Sequence, residues 1–237
     1  MTRSTPPTRG EELLLARISA AAGRAHLGKR LATHTATAYR ARNGPFRPIR
    51  CLVSLARHGR YPTARASPNA RLDLYEHGMT VAVKGRIHVV RYDTTSVFRH
   101  RTRPRGSSPA GAALLHTLTD TERKRLALHG GPEGGDARDW EHQIQRAVTR
   151  AQLPGALAAL HRGERVSFGD VWLSGTHIGT GERCTPWARV QRIGVAEGFL
   201  VLTIDGAQHR CGPAMAGIPN LFVFWALVER CRTDGTH

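Results

Sequence analysis

The chain has 237 residues, more than one average domain and fewer than two, so it can bury a core without disulfide or metal staples. Apolar residues are 40% and charged residues 22%, which excludes a disordered low-complexity chain and a coiled coil. Lys plus Arg number 35 against 18 Asp plus Glu, a formal balance of +17, and residues 1–110 hold 21 of those basic residues but only 5 of the acidic ones. An anionic partner would therefore be met by the first half. All but Lys29, Lys84 and Lys124 of the basic residues are arginine, a bias that a GC-rich genome would also produce.

Cys51, Cys184, Cys211 and Cys231 are far apart and form no C-x-x-C pair, which excludes a zinc ribbon or a thioredoxin motif. The apolar stretch after Gly10 is broken by Arg17 and Arg24, unlike a secretory signal. Leu221–Val228 is the most apolar run and is far shorter than the roughly 20 residues that span a bilayer. A soluble cytoplasmic protein, at most peripheral to a membrane, is expected.

In chain order, Leu14, Leu15, Ile18 and Ala21 share one helical face and predict a short amphipathic helix over 11–24. Residues 40–68 have no clear period and read as an irregular basic connector. Alternation begins at Arg71: Leu72 and Leu74, then Met79, Val81 and Val83, then Ile87 and Val89, the period of half-buried strands. Lys84-Gly85-Arg86 predicts a hairpin turn between the last two runs. Leu114–Leu118 and Arg125–Leu128 predict another hairpin around Asp120–Arg123. The glycine-rich stretch 130–135 ends this section. Trp140, Ile144, Ala147, Val148 and Ala151 then predict a helix capped by Asp139 and ended or bent at Pro154.

Strand patterns begin again with Val166 and Phe168, Val171 and Leu173, Ile178, Val190 with Ile193, and Phe199–Ile204 closing on Asp205-Gly206. Ile218-Pro219-Asn220 leads into a final helix over 221–230. Strands closed by one helix thus occur twice, at about 71–160 and 164–232. Leu74-Tyr75-Glu76-His77-Gly78 aligns with Val171-Trp172-Leu173-Ser174-Gly175, and Tyr92-Asp93 with Pro186-Trp187. A repeat of this length implies two copies of one small α+β domain.

About seven antiparallel strands closed by a C-terminal helix resemble the pleckstrin-homology-like superfold, here in tandem. The chain is also similar to a family of uncharacterised bacterial proteins known only as a domain of unknown function. The resemblance lies in Leu27-Gly28 with Tyr39, Leu74-Tyr75-Glu76-His77-Gly78, Arg91-Tyr92-Asp93, Gln145-Arg146-Ala147-Val148 followed by Leu153-Pro154, Gly163-Glu164 with Phe168-Gly169, Pro186-Trp187, and Ile218-Pro219-Asn220. It covers most of residues 27–231. Tyr92 replaces the usual tryptophan, and the loop 99–111 lacks the usual asparagine-glycine turn. The family implies no activity. The expected organisation is a basic N-terminal extension with a short helix at 1–68, a first pleckstrin-homology-like domain at 69–161, a second at 162–232, and a tail at 233–237.

No catalytic set emerges. Gly23–Arg30 lacks the Ser or Thr of a P-loop, since Arg30 stands there, and it follows helix formers rather than a strand. His177, Cys184, His209 and Cys211 are metal-ligand types, but only His209 and Cys211 are closely spaced. There is no G-x-S-x-G elbow, and Ser174-Gly175 reads as a turn. Asp170, Glu182, Glu197 and Asp205 fall at predicted turns, where carboxylates are solvated. The chain is expected to be non-enzymatic, with no cofactor and no metal.

Two candidate surfaces remain. Arg86, Arg91, Arg99, Arg101, Arg103 and Arg105 form a basic set that can receive acidic lipid headgroups or other anions, or stay a solvated loop. The apolar last helix, with Phe222, Phe224 and Trp225, is expected to wedge between the two copies, or else to form a homodimer or partner interface. A binding or scaffold module acting on a protein partner or anionic membrane is the first expectation. A nucleic-acid-associated protein is the second, with Phe46 and Tyr61 among the arginines but no nucleic-acid motif.

Overall fold

The computed structural model describes residues 8–40, 66–102, 113–130 and 137–234. Of the connector expected at 40–68, residues 41–65, and with them Cys51, Phe46 and Tyr61, lie outside the described residues, as does the loop at 103–112. The described residues form a mixed α+β structure of antiparallel sheets and three α-helices.

Helix α1 (Arg9–Arg24) is fixed at its start by a capping box: the Thr8 hydroxyl accepts the Glu11 amide, and the Glu11 carboxylate accepts the Thr8 amide at 2.7 Å. Its Ile18, Ala21 and Ala22 are buried. Strands β1 (Arg30–Arg40), β2 (Ala66–Tyr75), β3 (Gly78–Val83), β4 (Arg86–Arg91), β5 (Val97–Thr102), β6 (Ala113–Thr119) and β7 (Arg125–Gly130) follow. They build one sheet in the order β4-β3-β2-β1-β7-β6-β5. Both predicted hairpins are present, and Lys84 and Gly85 take φ of 48° and 74°, as a tight two-residue turn requires.

The N-terminal boundary needs correction. The extension expected at 1–68 contains β1, the middle strand of the sheet, which pairs with β2 on one side and β7 on the other. The strand was hidden because its inward side chains are Ala32, His34, Ala36 and Ala38, too small or too polar to register as apolar alternation. Small side chains suit the position, because large ones from β2, β3 and β7 fill the same core: Leu72, Leu74, Met79, Val81 and Leu128. Strand β3 is buried on both faces, with the core on one side and α1 on the other.

Helix α2 (Ala137–His161) departs from the expected cap and does not end at Pro154, where an end or a bend was expected. Asp139 sits within its first turn rather than capping it, and the helix continues through Pro154. A proline inside a helix costs about 3 kcal/mol, and here burial of the following turns offsets it. Trp140, Ile144 and Val148 plug the first core, whereas Leu153, Ala156, Leu157 and Leu160 pack into a second. One helix therefore serves both cores.

The second half has β8 (Val166–Phe168), β9 (Val171–Leu173), β10 (His177–Thr180) and β11 (Arg183–Pro186) in a four-stranded sheet ordered β11-β10-β9-β8. A separate three-stranded sheet holds β12 (Arg192–Ala196), β13 (Phe199–Ile204) and β14 (Ala207–Ala214). Helix α3 (Leu221–Asp234) closes it, running past the expected helix end at 230 and into the tail expected from 233. The hairpins of the two halves correspond, but two residues away from the alignment expected. Leu74 faces Met79 as Leu173, not Val171, faces Ile178. The Tyr92 amide donates to His77 O at 3.1 Å as the Trp187 amide donates to Thr176 O at 3.0 Å.

Candidate functional site

Four of the residues that carry the family resemblance, Leu27, His77, Tyr92 and Asn220, belong to one chain of hydrogen bonds where the two halves meet. The His77 amide donates to Leu27 O (2.9 Å), and the Tyr92 amide to His77 O. From the other side, the Gln152 side-chain amide donates to Tyr92 O (2.8 Å) and Thr95 O (2.9 Å). Its oxygen accepts from the Asn220 side chain at 2.7 Å. Asn220 also donates to Thr95 O (3.0 Å), accepts the Val97 amide on its side-chain oxygen (2.8 Å), and gives its own amide to Val97 O (2.9 Å). Asn220 thus pairs with Val97 much as a neighbouring strand residue would, at the outer edge of β5. Its φ of 49° lies in the left-handed region, where asparagine is tolerated better than branched residues. Thr95 completes the junction by bonding Thr119 through its hydroxyl, both as donor at 3.0 Å and as acceptor at 3.3 Å.

Close approach explains one glycine of the set. Gly28 has φ +81°, and a Cβ there would lie 2.5 Å from the Glu76 carboxylate that accepts the Lys29 amide. The loop after α1 is thereby strapped to the β2–β3 turn. Tyr92 is fully buried behind the junction, and burial pushes its hydroxyl well above the ordinary tyrosine range.

Among the described residues, the predicted arginine set is split: Arg86 and Arg91 lie on β4 and Arg99 on β5, at opposite edges of the sheet. Arg86 is exposed beside the β3–β4 turn. Arg91 is held by both oxygens of Asp93, at 3.0 and 2.7 Å, and donates to Ala25 O at 2.8 Å. That pairing holds the Asp93 carboxyl below its usual range. Arg99 sits over the Phe222 ring, 5.1 Å from its centroid, so it docks α3. Arg101 lies on β5, and Arg103 and Arg105 fall outside the described residues. Of the apolar candidates, Phe222 is 40% exposed and Trp225 half-buried, but Phe224 is fully buried against Phe168 in the second core. Phe224 is therefore not an interface residue, because the helix face that carries it is covered by its own sheet. The predicted wedge is shared: Asn220 and Phe222, at the start of α3, reach β5, and α2 packs into both cores.

One buried polar pair braces the first core, and a second histidine is buried there without a hydrogen bond. His88 Nδ1 lies 2.9 Å from Asp120, whose other oxygen accepts the Glu122 and Lys124 amides of the β6–β7 turn. His116 lies edge-on to Trp140 and 3.6 Å from Glu141, too far for a hydrogen bond. Burial, then the nearby charges of Arg99 and His100, push His116 down to about 3, so it is neutral at pH 7.

The metal-type residues remain apart. Cys184 and His209 line one shallow groove of about 390 Å³, His177 bonds Thr176 at 2.8 Å, and Cys211 is buried with its thiol pushed up. No cluster of three or more metal-ligand side chains exists among the described residues. Asp170, Glu182, Glu197 and Asp205 are all exposed. Gly23–Arg30 is a helix end leading into β1, the reverse of a P-loop's strand-to-helix order. No helix among the described residues is long and apolar enough to cross a membrane.

A groove that sequence reasoning missed lies between α1 and β4, about 700 Å³ in volume and lined by Arg17, Arg24, His26, Ile87, Val89 and Arg91 among others. The amphipathic pattern of α1 was legible, but nothing in it says which strand the helix lies beside.

No curated protein matches the sequence. The solved structure titled "Structure of the Spt16D Pob3N heterodimer" is similar at 10% identity over 62% of this chain and 89% of that one, with a TM-score of 0.19, too low to establish a common fold. The family model described as "Family of unknown function (DUF6585)" matches residues 69–236, starting later than the resemblance drawn from Leu27-Gly28. That match spans most of the chain, which therefore belongs to this family of unknown function, DUF6585.

Proposed function

We propose that the chain is a non-catalytic binding and scaffold module of two tandem pleckstrin-homology-like units, acting on a protein partner. The observation that carries this reading is the junction: one helix shared by two cores, and Asn220 bonded to Val97, Thr95 and Gln152. Such a junction fixes the angle between two surfaces, which a scaffold needs. The matching hairpins of the two halves, each half closed by a helix, support the tandem reading. In this reading the dispersed acids, histidines and cysteines have structural or solvated roles and do no chemistry.

In-cell photo-crosslinking of the full chain followed by mass spectrometry tests it. A small, reproducible set of crosslinked proteins is expected. Crosslinks to nucleic acid or lipid alone, or turnover of a metabolite by the purified chain, would overturn it.

A further inference from the structure

We propose that the groove between α1 and β4 binds an extended acidic peptide whose carboxylates alternate with apolar side chains; the inference rests on the binding-module reading above and names its partner chemistry. The groove has two unlike walls. Ile87 and Val89 of β4 supply a half-buried apolar floor, and Arg17 and Arg24 of α1 supply a basic wall.

The groove lining also holds Arg91 and one carboxylate, Glu122, and each has its own partner. Arg91 is paired with Asp93, and Glu122 with Lys124. Arg17 spends one nitrogen on Gly85 O at 3.1 Å, and neither it nor Arg24 has a carboxylate partner among the described residues. Two guanidinium charges thus face the groove uncancelled, with donors to spare.

Spacing selects the occupant. Arg17 and Arg24 are two helical turns apart on one face, about 10.5 Å along the axis. Ile87 and Val89 are alternate residues of a strand, about 6.8 Å apart. An extended peptide presents its two side-chain series on opposite faces, alternate residues again about 6.8 Å apart. Its apolar series can rest on Ile87 and Val89 while its acidic series reaches the arginines, whose long stems absorb the mismatch. A phosphate headgroup instead needs donors converging on one point, and a single-stranded nucleic acid needs flat aromatic platforms; this groove has neither Tyr, Phe nor Trp in its lining.

The test is fluorescence anisotropy with the full chain and a short labelled peptide in which glutamate alternates with valine. Changing Arg17→Ser with Arg24→Ser should weaken binding about tenfold per arginine. Arg146→Ser with Arg150→Ser, an equal loss of charge on the exposed face of α2, should leave it unchanged. Ile87→Ser should weaken binding by removing floor without touching charge, with retained thermal unfolding showing that each variant folds. Absence of binding, equal weakening by both arginine pairs, equal binding of a glutamate-serine peptide, or displacement of the peptide by anionic vesicles or RNA would overturn the proposal. Failure here with protein crosslinks intact in cells would retire this groove and leave the module reading; loss of the crosslinks with peptide binding intact would do the reverse.

Discussion

The two halves arrange their strands alike and close differently. In the first, β1 has 11 residues and irregular register near Ala36–Ala38, where it adds pairing with β7 to its pairing with β2 and joins all seven strands into one sheet. In the second, the corresponding strand β8 has 3 residues and pairs only with β9, so the sheets stay separate, four strands and three. A short strand cannot reach both neighbours. What replaces it is helical: the end of α2 and the apolar face of α3 fill the gap between the sheets. The first half is held by backbone pairing and plugged by a helix; the second depends on helices for its closure.

The sharpest way to break that contrast is to hollow each core. Trp140→Ala and Phe224→Ala remove fully buried rings, and each should cost about 3–5 kcal/mol in denaturant unfolding. Because α2 belongs to both cores, each variant should shift one cooperative transition. Two separated transitions would show that the halves are independent and the shared helix incidental.

Next comes the junction. Asn220→Ala deletes the side-chain bonds to Val97, Thr95 and Gln152 and puts alanine at positive φ, for an expected loss of about 2–3 kcal/mol. Hydrogen exchange should accelerate at the Val97 amide and not at Val90, inside the first core. Unchanged exchange at Val97 would mean that the second half does not protect that edge.

An acid-side pH dependence is carried by a buried histidine of the first half. His116 is held near 3 by burial but titrates near 6.5 when unfolded, so the unfolded chain binds the extra proton between those values. Stability should therefore fall as pH drops below about 6.5, by up to about 1.4 kcal/mol per pH unit from this group. His100, also pushed down by burial, acts in the same direction. His116→Leu should flatten the slope, measured by urea unfolding between pH 7 and about pH 4. An unaltered slope would place the acid sensitivity elsewhere.

The smallest effect expected is at the outer contact. Arg99→Ala removes the cation above the Phe222 ring and should cost about 0.5–1 kcal/mol. A much larger loss would make that contact, rather than Asn220, the main tie between β5 and α3.

Legibility follows the same division. The apolar alternation of Met79–Val83 and of Leu114–Leu118 announced strands, because large side chains mark one face. Strand β1 fills its place in the core with alanines, and β14 begins with four exposed residues, so neither has an apolar period to read. The two-residue slip in aligning Leu74 with Val171 was invisible for a related reason. A shift by two leaves every strand side chain on its own face, and only the pairing of Leu173 with Ile178 distinguishes the alternatives. Of the two outcomes that Pro154 left open, an end and a bend, the end does not occur, because burial of the following turns keeps the chain helical. At the candidate site, Leu27-Gly28, His77, Tyr92 and Asn220 stood out as motifs, but their meeting needs the backbone bonds of the folded chain. The α1–β4 groove needs the docking of a helix, which no motif encodes.

The bond between Val97 and Asn220 joins positions 123 residues apart. During synthesis from the N-terminus, the outer edge of β5 exists long before the residue that covers it. An uncovered edge strand is a template for pairing with another chain, so the nascent protein passes through an interval in which two ribosome-bound copies can join edge to edge. Variants at Asn220 would extend that interval indefinitely, and their mark in cells would be insoluble protein, out of proportion to the few kcal/mol lost from the folded state.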